Sequence, residues 1–161
     1  MNTKNMNDDK ILVSGPIIFR GNGKMRRWLI TKNEKDGPWE IPKVSVRRAE
    51  SSVRAAMRMM GEQGAMDIQV LEEAGRSGGT TTVNGKVLAQ RKLYYLALYL
   101  GGGEVLGFIE AKWLPYAKVT RKLSKQEAMM VRSARKELVV WERKKREEER
   151  LERLKAKASE A

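Results

Sequence analysis

The longest apolar run in the sequence, LAQRKLYYLALYL, covers residues 88–100. An apolar run of this length predicts a strand in the centre of a sheet, because a strand at the edge carries more polar residues. A central strand must be covered by other elements on both faces of its sheet. The three glycines at positions 101–103 predict the end of this strand.

Other segments predict further strands around this one. Residues 11–20, ILVSGPIIFR, and residues 25–31, MRRWLIT, flank the turn signal GNGK and predict a hairpin. The dipeptide Asn84-Gly85 predicts a second hairpin, between residues 80–83 and the strand that begins near Val87. Two more strands are predicted in the segments 66–74 and 104–116.

Two segments have helical patterns. From Ser51 onward, Val53, Ala56, Met57 and Met60 follow the spacing of one apolar helix face. The second helix is predicted to begin at the capping box Ser124-Lys125-Gln126-Glu127, in which the hydroxyl and the carboxylate bond each other's backbone N–H groups. The order of elements predicts an α/β domain of the α+β type, a mixed β-sheet sandwiched between helices.

The composition narrows the possible chemistry. The chain of 161 residues contains no Cys and no His, which excludes thiolate metal sites, cysteine nucleophiles and Ser-His-Asp triads. Catalysis would have to rest on Asp, Glu, Lys or Tyr, or on a metal with oxygen ligands. The formal net charge of +13 favours polyanionic partners. No signal peptide and no membrane span is evident, so we expect a cytoplasmic protein that does not associate with membranes.

Residues 39–66, WEIPKVSVRRAESSVRAAMRMMGEQGAM, resemble the signature of the Nudix superfamily. A Trp and a Pro-Lys pair precede the loop, Glu50 stands at the first signature glutamate, and Arg58 and Glu62 follow at the expected intervals. The hairpin before this segment and the strand and helix after it also resemble the family, over roughly residues 10–140. The Trp-x-x-Pro-Lys approach is most similar to members that act on dinucleoside polyphosphates.

The resemblance implies the Nudix fold, and an Mg²⁺- or Mn²⁺-dependent cleavage of compounds that contain a nucleoside diphosphate. Signature glutamates hold the metal in that family. In this chain, however, Met59 and Gln63 replace two of the three glutamates that would lie on one side of the helix, and only Glu62 remains. A thioether and a neutral amide are poor ligands for Mg²⁺. The resemblance therefore implies a hydrolase whose activity is lost or strongly reduced.

The acidic residues that could still hold a metal are Glu62, Glu50, and either Glu104 or Glu110 as a more distant carboxylate. In a catalytic reading, Arg58 would orient Glu62. Glu62 also lies four residues after Arg58, which is the spacing of an ordinary helical ion pair. Glu50 and Arg54 have the same spacing. If the protein is active we expect Mg²⁺ or Mn²⁺ as the cofactor, and otherwise none.

Basic and aromatic residues near the signature are candidates for binding a phosphorylated ligand: Lys43, Arg47, Arg48, Trp39 and Tyr94. Arginine is well suited to phosphate, and an aromatic ring can stack on a base. We therefore expect a Nudix-fold protein that binds a nucleotide or another phosphorylated ligand. Two alternatives stay open: a non-enzymatic protein that binds RNA or a ribonucleoprotein, and an active hydrolase with a relocated metal site.

The charge distribution suggests three parts of the chain. We expect residues 1–10 to be a flexible N-terminus, residues 11–140 to form the Nudix-like domain, and residues 141–161 to be a charged C-terminal helical extension. The extension has eight basic and six acidic residues after Trp141, so +11 of the formal charge lies on the rest of the chain. Its apolar residues Leu151 and Leu154 give a poor heptad pattern, which does not favour a coiled coil.

Overall fold

The structure is a computed structural model that describes residues 10–103 and 107–160. Within these residues the strands are β1 (Lys10–Arg20), β2 (Arg27–Lys32), β3 (Val44–Ser45), β4 (Met66–Val83), β5 (Lys86–Gly102) and β6 (Glu110–Leu114). The helices are α1 (Ser52–Gly64), α2 (Tyr116–Lys122) and α3 (Lys125–Ser159). A single 3-10 turn, Gly23–Met25, lies between β1 and β2.

The strands form one mixed sheet in the order β4-β5-β1-β2-β6, with β3 paired to β1. β5 is the strand predicted from the longest apolar run, and it lies between β4 and β1. β1 and β5 are parallel from Lys10↔Ala89 to Phe19↔Leu98, and the other pairs are antiparallel. The mixed sheet between helices that the sequence predicts is confirmed.

Helices cover both faces of the sheet, and each face has its own apolar cluster. α2 and α3 contribute Val119, Val131 and Leu138 to a cluster with the inward side chains of β1, β2 and β5, including Ile17 and Trp28. α1 covers the opposite face with a second cluster, made of Ile18, Leu29, Met59, Met60, Met66, Ile68, Ala97 and Phe108. Alternate residues of β1 therefore enter different clusters, as the pleat of a strand requires.

α1 is rotated relative to the apolar face expected from the sequence. Met57 is 46% exposed, whereas Met59 is buried together with Met60. Ala55 and Ala56 are also fully buried, so the buried stripe is shifted toward positions 55, 56, 59 and 60. The expectation that Met57 lies in the core was therefore wrong, because Met59 takes that place against the sheet.

The β4–β5 hairpin is longer than the sequence indicated. Residues 75–79, GRSGG, separate the two strands predicted in 66–74 and 80–83, but in the structure they continue β4 up to the Asn84-Gly85 turn. Pairing with β5 along the whole strand satisfies the backbone, and three register shifts between Asp67 and Gly75 absorb the irregularities. A glycine in a paired strand therefore does not have to end it.

α3 is a single helix of 35 residues. Ser124 caps it by accepting a hydrogen bond from the backbone N–H of Glu127. The charged segment after Glu142 is helical up to Ser159, and its residues 143–160 are exposed. No helix in the described residues is long and apolar enough to span a membrane.

Candidate functional site

The loop between β3 and α1 is closed by a turn at residues 47–50. The backbone N–H of Glu50 donates to the carbonyl of Arg47, and the backbone N–H of Arg47 donates to the Glu50 carboxylate. Ala49 has a φ of 63°, so the turn passes through the left-handed region. Ser51 then begins α1 by accepting a hydrogen bond from the backbone N–H of Arg54. The loop is thus fixed at both ends by its own residues.

Arg58 connects α1 to this loop. Its Nε and Nη2 donate to the two carboxylate oxygens of Glu50 at 2.8 and 3.0 Å, and Nη2 also reaches the carbonyl of Ser45 at 3.3 Å. The hydrogen bonds from Arg58 lower the pKa of Glu50 to about 2. Arg58 therefore pairs with Glu50 across the loop. Arg54 is exposed and has no carboxylate partner among the described residues. The expected pairing of Glu50 with Arg54 was wrong because Glu50 precedes the N-cap and so does not lie on the helix.

Glu62 makes the expected ion pair with Arg58, with 3.6 Å between the Arg58 Nη1 and a carboxylate oxygen of Glu62. The side chain of Glu62 is 58% exposed. Arg58 therefore contacts two of the acidic residues that could have held a metal. A single guanidinium thus offsets part of the negative charge of these two carboxylates before any cation approaches.

Met59 and Gln63, at which the resemblance to the signature implies glutamates, lie in different surroundings. Met59 is 1% exposed and packs in the cluster that contains Leu29 and Phe108. Gln63 is half-buried, and its backbone carbonyl accepts a hydrogen bond from the N–H of Gly107 at 2.6 Å. A β-carbon at Gly107 would lie 2.7 Å from the β-carbon of Gln63, so this close approach requires glycine. The segment before β6 thus packs directly on the C-terminal turn of α1.

Among the described residues, the structure does not gather the metal candidates around one point. Glu110 lies at the start of β6, with a carboxylate oxygen 4.0 Å from the Nζ of Lys32. Glu104 lies outside the described residues. Within the described residues there is no group of three or more His, Cys, Asp or Glu side chains that could hold a metal ion. The donor set on this part of the chain therefore does not fit Mg²⁺ or Mn²⁺, which need several oxygen ligands around one point.

Lys43 and Tyr94 both belong to a buried polar cluster centred on Glu127. One carboxylate oxygen of Glu127 accepts hydrogen bonds from the Lys43 Nζ and the Tyr94 hydroxyl, both at 2.8 Å, and the other accepts from the backbone N–H of Ile41 at 3.1 Å. Tyr94 is fully buried, and burial together with the Glu127 charge raises its pKa. The Tyr94 ring has no accessible face, and the partly exposed Lys43 already donates to Glu127 and to the carbonyl of Ile41. The cluster joins the start of α3 to the loop before β3.

Sequence reasoning missed the long-range role of Glu127. The capping box correctly places the start of α3, but the Glu127 carboxylate does not turn back to the backbone of Ser124. It enters the core instead, because Lys43 and Tyr94 provide charged and hydroxyl donors there. A carboxylate with two such partners and a backbone N–H is better satisfied than one with a single backbone donor. Local sequence spacing cannot show that Glu127 lies next to the buried Tyr94, because the two residues are far apart in the sequence.

Trp39 lies among three lysines. The Nζ atoms of Lys32, Lys112 and Lys122 are 4.8, 5.2 and 6.0 Å from the centroid of its ring. The indole is half-buried and packs against the cluster under α2 and α3. Trp39 is therefore on the face of the sheet opposite α1. It is a partly accessible ring in a positive environment.

Arg47 and Arg48 are exposed on the turn that precedes α1, and Arg54 is exposed on its first turn. Within the described residues none of these three guanidinium groups has an ion pair. The loop therefore presents cations, whereas the carboxylates beside it are already paired. An anion is the ligand that this charge distribution favours.

Comparison with solved structures identifies the fold of this chain. No family model and no curated protein matches the sequence. A Caenorhabditis elegans Ap4A hydrolase in a binary complex aligns with 80% of this chain and 98% of its own, at a TM-score of 0.63 and 17% identity. The chain has the Nudix fold. The Nudix domain of Shewanella oneidensis NrtR, complexed with ADP ribose, aligns with 80% of this chain and 88% of its own, at a TM-score of 0.61 and 18% identity. A MutT protein from Methanosarcina mazei Go1 aligns over 80% and 95% at a TM-score of 0.61 and 16% identity.

In this Nudix-fold chain Arg58 and Glu50 hold the loop and α1 together. Three positions on α1 are those to which the resemblance to the Nudix signature assigns glutamates. One position is an apolar core residue, one is an amide whose backbone carbonyl binds Gly107, and the third, Glu62, pairs with Arg58.

Proposed function

We propose that this protein binds a nucleotide or another phosphorylated ligand at the Arg47–Arg48 turn and does not hydrolyse it. The observation that supports this most directly is the burial of Met59 in an apolar cluster, at a position where a Nudix hydrolase would have a metal-holding glutamate. The paired states of Glu50 and Glu62 support the same conclusion. Two Nudix-fold structures that resemble this chain are complexes, one of an Ap4A hydrolase and one with ADP ribose.

The binding part of the proposal rests on charge. Arg47 and Arg48 are exposed and unpaired among the described side chains, and the fixed turn limits the entropy that they lose on binding. A guanidinium can bind two oxygens of a phosphate with parallel hydrogen bonds. Lys43 does not take part, because Glu127 already holds it. Trp39 is on the opposite face of the sheet from α1 and is not assigned to this turn.

Isothermal titration with ADP-ribose and with ATP, each in EDTA and in Mg²⁺, tests the binding. We expect binding that does not need the metal and that falls roughly tenfold in the double variant Arg47→Gln/Arg48→Gln, since two charge-assisted hydrogen-bonding groups are lost. The control variant Lys155→Gln/Lys157→Gln removes the same charge from an exposed part of α3 and should bind normally. Equal affinity in both double variants would contradict this assignment of the site.

Turnover has to be measured in the same preparations. Phosphate or nucleotide products should not form from ADP-ribose or diadenosine tetraphosphate with Mg²⁺ or Mn²⁺ at enzyme concentrations comparable to the substrate. If products form at rates typical of enzymes, and Glu62→Gln abolishes them, the protein is an active hydrolase with a relocated metal site. That result would replace the proposal.

A further inference from the structure

α2 has one buried side and one strongly basic side. Val119 is fully buried and Tyr116 is half-buried, and both pack in the cluster under α2 and α3. The exposed surface of the helix carries Lys118, Arg121 and Lys122. The helix contains no acidic residue, so its basic side has no internal counter-charge.

At the N-terminal end of α2 there is a cleft of about 490 Å³ between the β1–β2 turn, α2 and α3. Lys24, Arg27 and Arg135 line it together with Tyr116. The Arg135 guanidinium carbon lies 4.2 Å from the centroid of the Tyr116 ring. This end of α2 therefore combines an aromatic ring with several cations.

The C-terminal end of α2 repeats that combination. Lys122 belongs both to the exposed side of α2 and to the three lysines around Trp39. Lys112 from β6 and Lys32 from β2 complete the group. In the described residues, the only carboxylate paired with any of these three lysines is Glu110, at 4.0 Å from Lys32.

These features form one continuous surface, the α2 ridge: Lys24, Arg27, Tyr116, Arg135, Lys118, Arg121, Lys122, Lys112, Trp39 and Lys32. α2 is about 10 Å long at 1.5 Å per residue; Tyr116 is its first residue, and Trp39 lies beside the side chain of its last, Lys122. Like charges along such a surface repel one another unless an anion lies between them. Regularly spaced negative charges with stackable groups are what a nucleic-acid strand provides.

We propose that the α2 ridge binds single-stranded RNA, with the backbone phosphates along Lys118, Arg121 and Lys122 and with bases against Tyr116 and Trp39. An exposed basic helix with an aromatic ring near each end matches the stacking platforms and basic tracks of single-strand binding proteins. A base has to be unpaired to stack on a half-buried ring, so a duplex does not fit. This surface is on the opposite face of the sheet from α1, and the inference does not depend on the ligand at Arg47 and Arg48.

Fluorescence anisotropy with a labelled oligouridylate on the order of ten nucleotides long tests the proposal. The triple variant Lys118→Gln/Arg121→Gln/Lys122→Gln should weaken binding at least roughly tenfold. It should also reduce the slope of log K against log salt by about 2, since each phosphate contact in a single strand contributes about 0.7. The side chains are exposed, so the variant should fold, and circular dichroism verifies this.

Matched variants separate the ridge from general charge. Lys144→Gln/Lys155→Gln/Lys157→Gln removes the same charge from exposed positions of α3 and should change the affinity less than about twofold. Trp39→Leu should weaken binding roughly tenfold, and Trp39→Phe should retain most of it because an aromatic ring is kept. An equal loss in the two triple variants would overturn the proposal, as would a Trp39→Leu variant that binds normally.

Two further probes define the ligand class. Duplex RNA of the same length should bind at least tenfold more weakly, and vesicles that contain anionic lipid should not compete for the oligouridylate. Equal affinity for the duplex, or binding to vesicles without binding to RNA, would contradict the proposal. Arg47→Gln/Arg48→Gln should leave RNA binding intact, so the failure of one proposal can be distinguished from the failure of the other.

Discussion

Met59 stands at a position for which the resemblance to the Nudix signature implies a carboxylate, and its surroundings are apolar. Its neighbours in the cluster under α1 include Leu29 and Phe108, neither of which can hydrogen-bond a side chain. Restoring a glutamate there would bury a carboxyl group without a partner. The Met59 side chain is thus part of the packing of this chain.

We expect Met59→Glu to lower the free energy of unfolding by about 3 kcal/mol or more, because an unpaired carboxyl group is costly to bury. Met59→Leu conserves the volume and should cost less than about 1.5 kcal/mol. Urea denaturation followed by circular dichroism gives both values. A Met59→Glu variant as stable as the parent, with Mg²⁺-dependent hydrolysis, would show that the position is open to a metal.

The Glu50–Arg58 pair should make stability depend on pH in acid. The pKa of Glu50 is about 2 in the folded protein and about 4.5 when the residue is unperturbed. A lowered pKa means that this contribution is fully present above pH 4.5 and is lost as the pH falls toward 2. In Glu50→Gln the unfolding midpoint in urea should fall at neutral pH, and its decline between pH 4.5 and 2 should be shallower than in the parent. Parallel curves for the two proteins would contradict this role.

At the scale of elements, the sequence was informative wherever one local signal decides the outcome. Asn84-Gly85 gave the β4–β5 turn, and Ser124 gave the start of α3. The sequence was less informative where tertiary contacts decide. The partner of Glu127 and the rotation of α1 that buries Met59 depend on residues far along the chain. For the same reason the pairing of Glu50 and Arg58 across the loop was not recognised, although both residues were singled out.

α3 should tolerate the loss of its last turns. Residues 150–160 are exposed, so deletion of residues 150–161 removes almost no buried surface. We expect the free energy of unfolding to change by less than about 0.5 kcal/mol, with a lower helical signal in circular dichroism. A loss of several kcal/mol would mean that this segment packs against another surface, and concentration-dependent melting would then identify a second copy of the chain.

At the scale of the whole molecule, the paired carboxylates and the formal charge of +13 act together against binding of divalent cations. A ligand that binds only the folded state raises the melting temperature. We therefore expect Mg²⁺ at about 10 mM to shift the melting temperature by less than about 1 °C relative to NaCl of equal ionic strength. A rise of several degrees in Mg²⁺ alone would reveal a carboxylate site that the paired side chains do not suggest.

The overall architecture could be predicted from the order of strands and helices, because alternating apolar runs and turn residues restrict how a sheet can be covered. The basic α2 ridge could not, since it joins residues from β2, β6, α2, α3 and two loops. Net charge indicated an anionic partner for the molecule. Only the folded arrangement distinguishes the cations of the Arg47–Arg48 turn from those around Trp39.

The length of α3 has a practical consequence. The helix leaves the packed part of the molecule near Trp141, and the residues from there to Ser159 rise about 27 Å at 1.5 Å per residue. Anything attached near Ser159 would be held away from the sheet by a helical spacer instead of a flexible tether. This end of α3 is therefore a fixed reference point. Energy transfer between a fluorophore placed there and a label on a bound strand would report how far the strand extends from Trp39.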